Sequence, residues 1–224
     1  MQNIFSGEIL NVTPFNQGFV FAVKEQNAEG KPVARYYGYD VVNRALSRIK
    51  KAIYLRIKFG YESEAISEVL PDYVSCDAGF LNDGKTMVIF PNGNYSVFNT
   101  NGTESIASQL SYRDCAACDI AVDDEFVWSA VPADNSVIKY SPKDGRIVLR
   151  VGGGDETRFD RPTSVSLLGS TLYVCNRASK KIVALDTATN ETKDYRVFNE
   201  HVIKYINSQS MEYVWLDSGI YVLD

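Results

Sequence analysis

The spacing Cys115-Ala116-Ala117-Cys118 is that of thiolates which bind zinc or exchange disulfides. A tetrahedral metal site needs a second pair. Cys76 and Cys175 stand alone, and small buried side chains in a crowded interior account better for all four thiols. His201 is the only histidine, so a Ser-His-Asp arrangement would have to use it, yet no Gly-x-Ser-x-Gly elbow occurs. Four acids, Asp72, Asp77, Asp114 and Asp119, are placed for glycoside hydrolysis, which needs two carboxyl groups at a separation set by the mechanism. Gly152-Gly153-Gly154 is too bare to cradle phosphate, because no Gly-Lys-Ser/Thr follows it. No catalytic set, metal site or cofactor is assigned on these residues.

The elements that must position such groups are mostly strands. Fourteen Tyr and eleven Phe against three Met, with short Val and Ile runs, favour a mainly β chain. The length of 224 residues and 45% hydrophobic content suffice for one well-packed domain spanning 1–224. A net charge of −5 offers no general attraction to nucleic acid or anionic membrane, so neither is expected as a partner. The basic stretch from Lys31 to Lys58 carries eight cations against Asp40 alone. In it Arg56 and Lys58 alternate with Leu55 and Ile57, as on a solvated outer strand. The N-terminus lacks a basic region followed by an apolar one, and the expectation is a cytoplasmic protein with reduced cysteines.

A strand pair recurs five times. Its first members are Phe19–Val23, Met87–Phe90, Phe126–Ser129, Leu172–Cys175 and Tyr213–Leu216. Its second members close on Tyr39-Asp40, Phe98-Asn99, Tyr140-Ser141, Leu185-Asp186 and Leu223-Asp224, where the short polar side chain bonds the backbone of a turn. The intervals between closing residues are near the ~40–50 residues of a four-stranded propeller blade, except the first. That long interval is expected to hold a helical turn around Asn43 to Ala52, between the third and fourth strands of blade one. Inner strands are expected at 9–13, 73–76, 118–122, 163–167 and 202–206, and outer strands at 146–151 and 192–197. The fifth blade lacks an outer strand, and Asn3 to Glu8 lacks a partner. Pairing the two removes an open edge, and the expected fold is an all-β five-bladed β-propeller closed by its N-terminal strand. Trp128 and Trp215 fall in the second strands of two blades, where packing between blades explains them.

The segment Val151 to Asp186 reads Val-Gly-Gly-Gly-Asp-Glu-Thr-Arg-Phe-Asp-Arg-Pro-Thr-Ser-Val-Ser, then Leu-Tyr-Val-Cys-Asn, then Lys-Lys-Ile-Val-Ala-Leu-Asp. It resembles the NHL-type propeller repeat, in which a Gly-rich loop, a Phe and a Pro precede the inner strand; 119–141 resembles it in part. Cys175-Asn176 and Lys181 stand where that family usually carries Asp and Arg. The resemblance implies a propeller and no single activity.

The expected function is therefore non-enzymatic binding or scaffolding, with a protein or small-molecule partner met at one channel mouth. The loops expected to form that mouth are 61–72, 91–94, 111–114, 157–162, 176–180 and 199–201. Arg113, Asp114, Arg161 and Asn176 are the candidate ligand-binding residues. The alternative is a hydrolase of the five-bladed type acting on a sugar or lactone.

Overall fold

Twenty of the twenty-two strands form five four-stranded antiparallel sheets arranged as blades around a channel, in a computed structural model that describes residues 1–154 and 158–223. Blade one is β2 (Ile9–Phe15), β3 (Gly18–Gln26), β4 (Pro32–Asp40) and β5 (Ala45–Ile49). Two helices follow, α1 (Lys51–Phe59) and α2 (Ser63–Val69). Blade two is β6 (Asp77–Phe80), β7 (Thr86–Ile89), β8 (Asn94–Phe98) and β9 (Glu104–Gln109); a hairpin of β10 (Ser111–Tyr112) and β11 (Cys115–Ala116) comes next. Blade three is β12 (Cys118–Asp123), β13 (Phe126–Val131), β14 (Ser136–Ser141) and β15 (Arg146–Gly152). Blade four is β16 (Pro162–Leu168), β17 (Thr171–Asn176), β18 (Lys181–Asp186) and β19 (Thr192–Val197). Blade five is β20 (Val202–Ser208), β21 (Met211–Leu216) and β22 (Gly219–Leu223), completed by β1 (Gln2–Phe5).

The closure pairs Gln2 with Val222, Asn3 with Tyr221 and Phe5 with Ile220. Phe5 then reaches across to blade one, its ring 4.9 Å from that of Phe21 and 5.3 Å from that of Tyr37. Phe5 is partly buried in this contact, so its contribution is below the roughly 1.5–3 kcal/mol of a fully buried side chain. The approach is tight at Gly219, where a Cβ would lie 2.1 Å from the Phe5 carbonyl oxygen.

The polar residues that close the second strands do form turns. Asp40 Oδ1 accepts the Asn43 N–H at 2.9 Å, Asp186 Oδ1 accepts those of Ala188 and Thr189 at 2.9 Å, and Ser141 Oγ accepts that of Asp144 at 3.3 Å. Asp224, the last of these markers, lies outside the described residues, as do 155–157 of the Gly-rich loop. Trp128 is buried between blades three and four, and Trp215 packs between blades five and one.

Three expectations are corrected. The inner strand of blade two begins at Asp77, so Tyr73 to Cys76 precede it. The insertion is not a turn within blade one, since 45–49 is that blade's outer strand and the helices come after it. Helix α1 wedges Tyr54, Leu55 and Phe59 into the core between blades one and two. Lys58, expected on a solvated strand, is 1% exposed. The alternation of charge and apolar residues over 55–58 mimics a strand, but α1 draws buried residues from both parities because it turns every 3.6 residues.

Candidate functional site

An inner strand surrounded by apolar neighbours has little use for a charge unless another charge meets it. Three such residues meet in the channel. Lys204, on β20, places Nζ 2.7 Å from Asp77 Oδ1 on β6 and 3.0 Å from Asp119 Oδ1 on β12. Asp119 occupies a bulge in the pairing of β12 with β13 and has φ +50°, a left-handed conformation that Asp tolerates. The bulge lets Oδ1 accept the Ile120 N–H at 2.9 Å while Oδ2 accepts that of Val165, in blade four, at 3.0 Å. On the other side Asn11, in blade one, donates through Nδ2 to the Cys76 carbonyl at 3.1 Å and to Asp77 Oδ1 at 3.4 Å. One polar network thus joins all five blades.

The charges compensate one another. Burial pushes the Asp77 carboxyl up, but Lys204 and Lys58 outweigh it and hold the group below its ordinary range. Burial, reinforced by the charge of Asp77, pushes Asp119 up to about 6. Burial works against the Lys204 ammonium, and the two carboxylates overcome it and raise that group. Among the described residues no carboxylate contacts Lys58: its Nζ donates to Tyr54 Oη at 3.3 Å and to the Val74 carbonyl at 3.1 Å, and burial lowers it. Of the four acids considered for hydrolysis, the fold brings Asp77 and Asp119 together. Asp72 lies in an exposed turn, and Asp114 in the β10–β11 turn. The shared ammonium and three N–H donors engage the pair.

Below the trio a cavity of about 220 Å³ extends towards the mouth formed by the first hairpin of each blade, past Val12, Ala78, Val122, Val165, Leu167 and Ile206. Lys204 and Asp77 are the members most open to it, with side chains 11% and 22% exposed against 2% for Asp119.

The opposite mouth carries the residues expected to bind a partner. Arg113 and Asp114, with φ +47° and +63°, form the tip of the β10–β11 hairpin, and both are exposed. The Arg113 guanidinium lies 5.4 Å from the centre of the Tyr112 ring, and that of Arg150 lies 4.8 Å from it. Arg150 forks onto Asp134 at 2.8 and 3.0 Å. Next to it Asn135 Oδ1 accepts the Arg161 N–H at 2.8 Å, and the Arg161 carbonyl accepts the Arg177 N–H at 3.1 Å. The chain of contacts ends where Asp217 meets Arg177 at 3.9 Å and His201 Nδ1 at 2.7 Å. Asn176 is fully buried; it fixes this rim from beneath by accepting the Asp160 N–H at 2.9 Å and donating to the Val174 carbonyl at 3.0 Å. Thr157, in one expected loop, lies outside the described residues.

The cysteines pack. Cys76, Cys118 and Cys175 are buried and unpaired, with Cys76 and Cys118 in different core clusters, and among the described residues no group of three or more metal-ligating side chains assembles. Among the described residues no helix is long and apolar enough to cross a membrane. Sequence reasoning missed Lys204, Lys58 and Asn11. A signal existed for the first, a lysine inside Val202-Ile203-Lys204-Tyr205-Ile206, which is a strand otherwise apolar.

No family model matches the chain, and no curated protein matches it by sequence. Solved structures do resemble it. A streptogramin B lyase structure aligns over 98% of this chain and 69% of its own, with 12% identity and a TM-score of 0.53. A catalytically inactive virginiamycin B lyase from Staphylococcus aureus with quinupristin aligns over 95% and 78%, with 11% identity and a TM-score of 0.55. The computationally designed Ika8 protein aligns over 97% and 71%, with 11% identity and a TM-score of 0.52. At such identities the likeness is one of the propeller fold alone.

Proposed function

We propose that this chain is a non-enzymatic binding propeller whose partner is a protein that docks on the rim built by the β10–β11 hairpin and the entry loops of blades three to five. The observation that carries the reading is the continuous run of contacts from Arg113 through Tyr112, Arg150, Asp134, Asn135 and Arg161 to Arg177 and Asp217. The side chains of Arg113, Arg150 and Asp134 and the backbone of Arg161 are held by their neighbours before a partner arrives and so lose less freedom on binding, and arginine beside an aromatic ring is a frequent anchor at protein interfaces. Arg113, Asp114 and Arg161 are the exposed contacts in this reading, and Asn176 holds the backbone beneath them. A hydrolase would need Asp77 and Asp119 free to act as acid and base, whereas both are engaged by Lys204.

The test compares Arg113→Ala/Arg161→Ala with the unaltered chain in quantitative affinity capture, using Val148→Glu on the outer strand of blade three as a control. A partner retained by the control and lost, by at least about tenfold, from the double variant supports the reading. Equal capture by all three proteins refutes it.

A further inference from the structure

The channel cavity is separate from the rim and has its own chemistry. An ammonium has three N–H donors, and Lys204 directs two of them at Asp77 and Asp119. Among the described residues nothing takes the third, and nothing donates to Asp77 Oδ2. The cluster therefore presents one donor and one acceptor side by side at the end of a pocket whose walls are Val12, Ala78, Val122, Val165, Leu167 and Ile206. Its charges are already matched, since Asp77 and Asp119 are met by Lys204 and by Lys58 nearby. A charged guest would enter with no counter-charge to receive it and would lose its hydration.

We infer that the channel binds a small uncharged molecule with an apolar body and a head that both donates and accepts, a primary amide or a vicinal diol, with that head against Lys204 and Asp77. About 220 Å³ at roughly 30 Å³ per water corresponds to a guest of about seven non-hydrogen atoms. Entry is from the first-hairpin mouth, past Thr13, Pro14 and Asn207, because these residues line the cavity's far end. The guest touches no residue of the rim, so this site and the docking reading fail independently.

Butyramide and 1,2-pentanediol are the probes, with butyrate and butylammonium as charged counterparts of similar size. Binding is read from methyl NMR shifts of Val122, Leu167 and Ile206 in the full chain. The neutral probes should bind with a Kd of about 0.1–10 mM, and the charged ones at least about tenfold more weakly. Ala78→Leu, which fills the pocket without touching a charge, should weaken the neutral probes at least about tenfold. If that variant does not fold, Asn207→Trp at the open end should do the same. Charged probes that bind as well as neutral ones, neutral probes that do not bind, or binding unchanged in a folded pocket-filling variant would overturn the assignment.

Discussion

Lys204 Nζ and Asp77 Oδ1 lie 2.7 Å apart although 127 residues separate them in the chain. Local folding cannot bring such a pair together. The contact forms only when blades two and five face each other across a closed ring, so the cluster depends on the same closure that β1 provides. The fold supplies the meeting place, and the trio in turn ties blades one to five through Asn11, Asp77, Lys204, Asp119 and the Val165 N–H.

Removing one member should therefore cost more than removing the whole set. Lys204→Met strands two buried carboxylates and is expected to destabilise the protein by roughly 3–5 kcal/mol. Adding Asp77→Asn and Asp119→Asn to it should recover at least half of that in chemical denaturation. A triple variant less stable than Lys204→Met would show that the charges stabilise outright.

Acidification should reveal Asp119. Its folded pKa of about 6 stands above the ordinary 3.8, so between these values the native state holds a proton that the unfolded chain has released. Its contribution to stability is full below about pH 4 and declines as pH rises through 6, by up to roughly 3 kcal/mol. Asp77 has the opposite sign: its lowered pKa stabilises the fold above about 3.8, and that stabilisation disappears in stronger acid. Unfolding free energies measured from pH 4.5 to 7.5 should fall for the unaltered chain and flatten in Asp119→Asn.

The seam between chain ends should tolerate no side chain at Gly219, where φ is +154° and an added Cβ would run into the Phe5 carbonyl. Gly219→Ala is expected to cost about 2 kcal/mol or more and to promote self-association through the exposed edge of β22. Thermal melts with light scattering measure both.

Thiol reactivity should single out Cys115. Burial pushes Cys76 up to about 11 and Cys175 up to about 12, and raises Cys118 further still. At pH 8 one thiol per native chain should react with Ellman's reagent within minutes, with the other three reacting only on unfolding. Two fast thiols would contradict the packing of Cys118 against the Thr163 carbonyl.

The legibility of the chain follows from how far each signal reaches. Blade order was readable because apolar strand pairs recur and their closing Asp, Asn or Ser residues mark turns locally, as Asp40 and Asp186 do. The closure was readable because Asn3 to Glu8 had no other partner. The inner strand of blade two was misplaced by four residues, since Tyr73 to Cys76 is as apolar as a strand yet packs in the core beside residues of α1 and α2. Helix α1 was hidden by its basic residues, one of which, Lys58, is buried. Arg113, Asp114 and Arg161 were rightly placed in entry loops, whereas Asn176 points inward because its amide replaces backbone partners that the loop lacks. The trio was out of reach because Asp77, Asp119 and Lys204 sit on three blades and become neighbours only in the ring.

Native-state hydrogen exchange across the seam tests the central claim, that the N-terminal strand closes the ring on which both the rim and the channel depend. Amides of 2–5 that pair with β22 should be protected to the same free energy as those of 211–216, and should exchange with them in one cooperative opening. Exchange of 2–5 within seconds while 211–216 stays protected would contradict the account.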